Sequence, residues 1–570
     1  MFRGEFFVKG SDTSFLEGID KEIRDILAGY VKAESITCTH GEKDAEAYFL
    51  SCFQAQPYWQ EHPELLGSYA VKDDLFERAV GYAMVCGTGP DTVVMIHHYD
   101  VVTTEDYKRF APLAFSPAEL EAELMKIRSG FPGEIREDLE SGEWLFGHGV
   151  CDMKGGGAVQ MALLSRYGES VRKDPASLPG NLIVLAVPDE ENLSAGMRAA
   201  VLLLEELREK LGLRYRMMIN SEPHQRRDPR IGVFSAGSVG KMLPFFYVRG
   251  FLAHVGKMFE GLNPLGLLGA IIRKTEGNTD LCDIVGTEAS PPPTWLYSRD
   301  RKIRYDVSMP LSAAGCLSVL SLNKTPAELM EMLGSLCREA FDEVLDDLGR
   351  QYASYRKATG RPACSLPWRT RADDFSQLYR EAEEGYGEEF RRSFRQELQR
   401  LKQEYENGVM DLTECNFALV EHVFNYIDDL SPRVIYGLIP PYYPNVSNRY
   451  RTGSPEKILE IGSALEEYAR SAFGQAYVTE EFYTGISDLS YSAVPDSEEI
   501  ERTLKDTMPL YGSLYALPLK IVEKISMPCL NIGPWGKDFH KLTERVLKQD
   551  LLERTPRILH FAVEYILGVR

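Results

Sequence analysis

No window of this 570-residue chain reaches 18 consecutive apolar residues, which excludes a simple membrane-spanning helix. Its ten cysteines run from Cys38 to Cys529 without one C-x-x-C pair. A chain of this size needs no disulfide staples, so reduced thiols are expected. Basic residues are also short: 64 Lys plus Arg against 85 Asp plus Glu leave a formal charge of −21, and no extended Lys/Arg run offsets it. Such a chain repels polyanions, so neither nucleic acid nor an anionic membrane is expected as its main partner. No G-x-S-x-G elbow is present, which argues against a serine nucleophile. Internal repeats and low-complexity tracts are missing too. The opening MFRGEFFVKGSDTSF has neither a long apolar stretch nor a small-residue cleavage site, so it does not read as a signal peptide. What remains reads as a soluble cytoplasmic protein of about two to four domains.

The chain has a recognisable order. Helical spacing covers 15–31, a β-rich run covers 92–96, and helix, strand, helix and strand patterns follow at 156–166, 181–187, 195–210 and 215–220. Alternating strands and helices predict an α/β sheet. After about residue 236 the order becomes strand (242–249), helix (263–275), strand (302–309), strand (315–322), helix (326–346), which is an α+β module. Residues 371–408 then carry Phe375, Tyr379, Ala382, Tyr386, Phe390, Phe394, Leu398, Leu401 and Tyr405 at three- to four-residue spacing, a long amphipathic helix with Gly385 and Gly387 as candidate bends. The Pro-rich 290–294 reads as a local loop. From about 432 the α/β pattern returns with VIYGLI, a helix at 455–473, AYVTEEFY, PCLNIG and a helix at 555–568. The expected architecture is a catalytic α/β domain, 1–235 plus 432–570, interrupted by a lid domain at 236–431 with an extra helical insertion.

Four acidic or histidine clusters sit just beyond expected strand ends, where α/β sheets place ligands. In His98-Tyr99-Asp100, residues two apart on a strand share a face, and a metal-bound imidazole commonly has its other N–H held by a carboxylate, a role open to Asp100. Gly149 to Gly157, GVCDMKGGG, takes a Gly-rich turn into a helix beside Asp152, which otherwise reads as a helix cap. Asp189-Glu190-Glu191 ends an apolar strand with three carboxylates that repel one another unless cations or solvent compensate. Ser221-Glu222-Pro223 follows the next strand.

In this order the motifs resemble those of the dinuclear zinc peptidases and deacylases of peptidase family M20, which includes carboxypeptidases, aminoacylases and desuccinylases. HYDVV, GVCDMKGG, DEE and SEP match the family's successive motifs. Ala253-His254-Val255-Gly256 with Gly261-Leu262-Asn263 matches its lid histidine, and Gly536-Lys537-Asp538-Phe539-His540 its last ligand. Within the family, PRVIYGLIPPYYPNV and TGISDLSY resemble segments of the RocB-like, arginine-utilisation proteins.

The resemblance implies a zinc-peptidase-type α/β fold with an inserted α+β lid, and two divalent metal ions, zinc first with cobalt or manganese as alternatives. It assigns Asp152 as the bridging ligand, Glu191 and His540 to one metal, and His98 and Glu222 to the other. Glu190 is the implied general base, and His254 the donor to the substrate carbonyl oxygen, often from the partner subunit of a homodimer. A metal-activated water then cleaves an amide or peptide bond of a small substrate: an amino acid amide, an N-acyl amino acid or a short peptide. The alternative reading is a non-catalytic relative that binds metal or ligand as a sensor or scaffold; a retained Glu190 argues against it. His97 stands where the family usually has Gly, so either His97 or His98 could be the ligand, and the H-x-D spacing favours His98. His148 stands where Arg is frequent, as a supporting group or a structural one. His40, His62, His224, His422 and His560 have no motif context and read as structural.

Overall fold

The apolar run TVVMI extends into the strand Asp91–His98, inside an eight-stranded sheet. In spatial order the sheet runs Leu66–Ala70, Ala79–Cys86, Asn181–Val187, Asp91–His98, Arg214–Asn220, Cys529–Asn531, Ile231–Ser235 and Ala476–Glu480. Asn181–Val187, Asp91–His98, Arg214–Asn220 and Cys529–Asn531 are mutually parallel, and antiparallel pairs flank them. Every residue of Asn181–Val187 is buried, as expected of a parallel strand covered on both faces. Because parallel strands end on the same edge, the loops after 98, 187 and 220 emerge together. That edge carries the candidate site.

The computed structural model describes residues 14–450 and 460–569. The first 13 residues of the opening segment, and residues 455–459 of the helix expected at 455–473, lie outside this range; the helix is described as Ile461–Phe473. The chain divides into two units. The first comprises Met1–Ser238, Val446–Val494 and Lys520–Arg570, the second Val239–Asn445 and Pro495–Leu519. In the first, the helices Lys154–Lys173 and Ala195–Leu211 pack on the large sheet. A small sheet of Gly536–Lys537, Arg545–Leu547 and Trp144–Phe146 joins the C-terminal loop 538–544 to the loop that precedes Asp152.

The second unit is α+β. Its five-stranded sheet runs Thr294–Asp300, Ser312–Ser321, Gly240–Arg249, Arg433–Tyr443, Ala372–Asp374. The long helix Pro326–Ala358 opens with a full capping box of Thr325 and Glu328. The helix Phe375–Glu406 pairs with Leu412–Phe424 and breaks its helical geometry at Gly387, where φ is +54°.

Two expectations require correction. Residues 302–309 form no strand: Ile303 and Tyr305 are 96% and 93% exposed, and the strand is Thr294–Asp300, paired with Ser312–Ser321. The apolar alternation is present at 302–309, but only the end of the segment pairs, through a single antiparallel bridge between Ser308 and His254. The boundary expected at 431/432 also shifts. VIYGLI belongs to the second unit, where Arg433–Tyr443 pairs with Gly240–Arg249, and Pro495–Leu519 joins the same unit.

Candidate metal centre

The strand ends deliver their side chains to one cluster, all of it within the first unit. His98 Nε2 lies 3.1 Å from Asp152 Oδ1 and 3.4 Å from Glu222 Oε1. His540 Nε2 lies 3.2 Å from Asp152 Oδ2 and 2.9 Å from Glu191 Oε1. Asp152 therefore turns one carboxylate oxygen to each histidine. Among the described residues, donor atoms of three residues fall within 4.8 Å of one another in three overlapping sets: His98/Asp152/Glu222, Asp152/Glu191/His540 and His98/Glu190/Glu191.

The donor set fits a pair of divalent cations. Bonds of about 2.0–2.2 Å at a tetrahedral angle put ligand atoms roughly 3.3–3.6 Å apart, at or slightly beyond the 3.1, 3.4, 3.2 and 2.9 Å separations found here. The electrostatics agree. Burial raises the Glu190 carboxyl well above its usual range, with Asp488, Glu191 and Glu222 adding to the effect, and Glu222 is pushed up to about 8 by burial and by Asp152. Burial works in the same direction on Asp152, but hydrogen bonds from His540 and His98 outweigh it and hold that carboxyl low.

Local backbone explains how the ligands converge. The glycines after Asp152 let the Lys154–Lys173 helix approach the sheet: a Cβ on Gly156 would sit 2.1 Å from the Ser221 carbonyl oxygen, and one on Gly157 2.5 Å from the His97 ring. Asp189, Ser194, Asp538 and His540 all adopt left-handed φ, between +48° and +68°. Such non-glycine residues each cost on the order of 1–3 kcal/mol and persist where the surroundings over-determine them.

His98 and His97 have different surroundings. His98 Nδ1 donates to the Asp100 carbonyl oxygen at 2.9 Å. His97 is wholly buried, with Nδ1 3.0 Å from Gln160 Oε1 and Nε2 3.0 Å from the Tyr30 hydroxyl; burial pushes it down to about 4. His98, not His97, joins the cluster.

Asp100 departs from its expected contact. Its carboxylate stands 3.6 Å from His98 Nδ1 and instead accepts the backbone N–H groups of Glu190 and Glu191, each at 3.1 Å. The backbone carbonyl of Asp100 takes the imidazole, and the side chain fixes the loop that presents two carboxylates.

Asp189 turns away from the cluster. Its Oδ1 accepts Arg78 Nη1 at 2.6 Å and its Oδ2 accepts the Ala195 N–H at 3.0 Å, at the start of the Ala195–Leu211 helix. His254 lies in the second unit, exposed, with Nδ1 accepting the Gly256 N–H at 3.1 Å.

Sequence reasoning missed Glu544. Its Oε1 accepts the backbone N–H groups of Cys151 at 3.0 Å and Asp152 at 3.2 Å, while Oε2 lies 3.2 Å from His148 Nδ1. The other ring nitrogen of His148 donates to the Val102 carbonyl at 2.8 Å. The spacing from His540 to Glu544, on the far side of a loop, was the only available signal.

Residues 94–552 match the model of peptidase family M20/M25/M40. The uncharacterized protein YqjN of Bacillus subtilis (strain 168) is 30% identical over 550 residues, covering 96% of each chain. Protein RocB of the same organism is 27% identical over 554 residues, covering 96% of this chain and 95% of its own. Among solved structures, an M20 family metallo-carboxypeptidase from Sulfolobus solfataricus shares the fold, with a TM-score of 0.51 at 13% identity over 96% of this chain and 99% of that one. No helix among the described residues is long and apolar enough to cross a membrane. The chain is an enzyme of peptidase family M20/M25/M40.

Proposed function

We propose that the protein is a cytoplasmic dinuclear metallohydrolase that cleaves an amide or peptide bond of a small substrate. The observation that carries this reading is the divided Asp152 carboxylate, one oxygen toward His98 and Glu222 and the other toward His540 and Glu191. Zinc suits a set of imidazoles and carboxylates, with cobalt or manganese as substitutes. Two such ions would polarise the substrate carbonyl and supply hydroxide near neutral pH.

The protein's own groups do the rest. The Asp100 carbonyl keeps a proton of His98 on Nδ1, so Nε2 would present its lone pair to an ion that displaces the proton it shares with Asp152. Glu190, set by its backbone bond to Asp100, takes the proton of the attacking water and delivers it to the leaving amine. His254, as the family resemblance implies, donates to the carbonyl oxygen as negative charge develops there. With Nδ1 engaged by Gly256, its proton is on Nε2, as a donor must have it. Around His254 the second unit exposes Leu252, Val255, Ile303, Tyr305 and Val307, an apolar patch that supports a homodimer.

A hydrolysis screen of dipeptides, amino acid amides and N-acyl amino acids with zinc, cobalt or manganese tests the reading. Turnover of none of them by a metal-loaded protein would favour the sensor alternative. His254→Ala is expected to keep its metals and lose about 10²–10³ in rate. If donation crosses a dimer, mixing it with Glu190→Gln restores part of the activity in verified heterodimers.

A further inference from the structure

Asp488 is a buried carboxylate beside the metal centre that the mechanism above leaves unused. It opens the short turn Asp488–Tyr491 and is 2% exposed. The turn is tied to the walls of the site: Asn220 Nδ2 donates to Ser487 Oγ at 2.9 Å, and Ser194 Oγ donates to Asp488 Oδ1 at 3.1 Å. Asn220 ends the strand that precedes Glu222, and Ser194 closes the loop that carries Glu190 and Glu191. The second oxygen, Oδ2, is buried and has no hydrogen-bond partner among the described residues. Asp488 belongs to none of the three donor sets, yet its charge is among those that raise the Glu190 carboxyl.

A buried charge with half its acceptor capacity unused is costly unless a ligand completes it. Burial accordingly pushes the Asp488 carboxyl up to about 7. The missing partner is a hydrogen-bond donor, and a cationic one would also compensate the carboxylate's charge. Guanidinium favours two parallel bonds to both oxygens of a carboxylate, and Ser194 already occupies one of them. A compact ammonium needs only one. Glu190 hands its proton to the leaving amine, so a group within reach of both Glu190 and Asp488 stands a few bonds from the scissile carbonyl.

Building on the hydrolase reading, we propose that Asp488 receives the α-ammonium of the residue that supplies the scissile carbonyl. The enzyme then takes amino acid amides and short peptides with a free amino terminus, and discriminates against N-acyl amino acids.

The test compares an amino acid amide with its N-acetyl counterpart on the metal-loaded full-length protein. The wild type is expected to prefer the free amine by at least about 10²-fold in kcat/KM, because a site built around a charged donor strongly rejects an analogue lacking it. Asp488→Asn should collapse that ratio toward one, chiefly through KM, with two metal ions still bound by calorimetry. Binding of the same pair to Glu190→Gln, also by calorimetry, reads the preference without turnover. If neither compound is hydrolysed while the binding preference is present, the hydrolase reading fails and the ammonium site stands. Equal binding of both compounds by Glu190→Gln, or a ratio unchanged in Asp488→Asn, overturns the site. Should Asp488→Asn not fold, Asp488→Ser and the binding preference of Glu190→Gln decide.

Discussion

The two halves of the candidate metal centre share Asp152 but are built by different means. The His98 half stands directly on the large sheet: His98 is the last residue of its strand and Glu222 comes two residues after the next, with side chains 1% and 4% exposed. In the other half, the His540 side chain is 47% exposed and its backbone has φ +64°. Its loop is held by polar ties. Buried Arg545 pairs with Asp538 and, at 2.8 Å, with Asp138; Thr543 Oγ1 donates to Asp538 at 2.9 Å, and the Leu542 N–H to Asp106 at 3.1 Å. One half inherits its geometry from backbone pairing in the sheet. The other depends on a set of side-chain bonds that solvent can contest. The first should bind its ion tightly and exchange it slowly, the second less so.

The largest expected effect removes the shared element. Asp152→Ala takes a ligand from both halves, and metal analysis of the folded variant should find neither ion. Full occupancy would break the comparison, because the halves would not then share a bridge. Next in size is Glu190→Gln. Glu190 lies within donor distance of His98 and Glu191, so it is either the base or an additional ligand of the buried half. As the base, its loss should cost about 10²–10⁴ in turnover with two ions retained. Loss of the ion on the His98 side would reassign it as a ligand.

A smaller effect separates the halves directly. Under a graded chelator the wild type should release one ion well before the other, and His540→Ala should abolish the early-released one while sparing the second. In His98→Ala the tightly held ion should be the one weakened. Release of both ions at one chelator concentration in the wild type would contradict the asymmetry.

This asymmetry also marks how far the sequence could be read. His98, Glu191 and Glu222 were legible because each follows an apolar run directly, so strand pairing alone gathers them. His540 was legible only by resemblance, since nothing in GKDFH marks a site without its loop. The true orientation of Asp100 could not be read, because its carbonyl and its carboxylate both lie near His98 and only coordinates decide which one bonds. Only the resemblance set Asp189 apart from Glu190 and Glu191; the physical reason, its bond to Arg78 more than a hundred residues upstream, is not local to the motif. At the level of fold, KIRYDVSM alternates like a strand and VIYGLI reads equally well in either sheet. Periodicity reports what a segment could pair as, not with what.

The smallest expected effect concerns Glu544, which acts on both halves at once. One carboxylate oxygen accepts the N–H groups of Cys151 and Asp152, and so sets the backbone from which the bridging carboxylate projects. Partners of this kind typically contribute about 10–100-fold to metal affinity. Glu544→Ala should therefore weaken both ions by roughly that factor and by similar amounts, unlike the lopsided loss from either histidine variant. Glu544→Gln should recover most of it. The amide oxygen can still accept both N–H groups. His148, with Nε2 donating to the Val102 carbonyl, can be neutral and accept the amide N–H at Nδ1. Calorimetric titration of the apo variants with zinc reads both affinities. An Ala variant that weakens only one ion would tie Glu544 to a single half, and a Gln variant as impaired as Ala would mean that the negative charge, rather than the acceptor geometry, is what the centre requires.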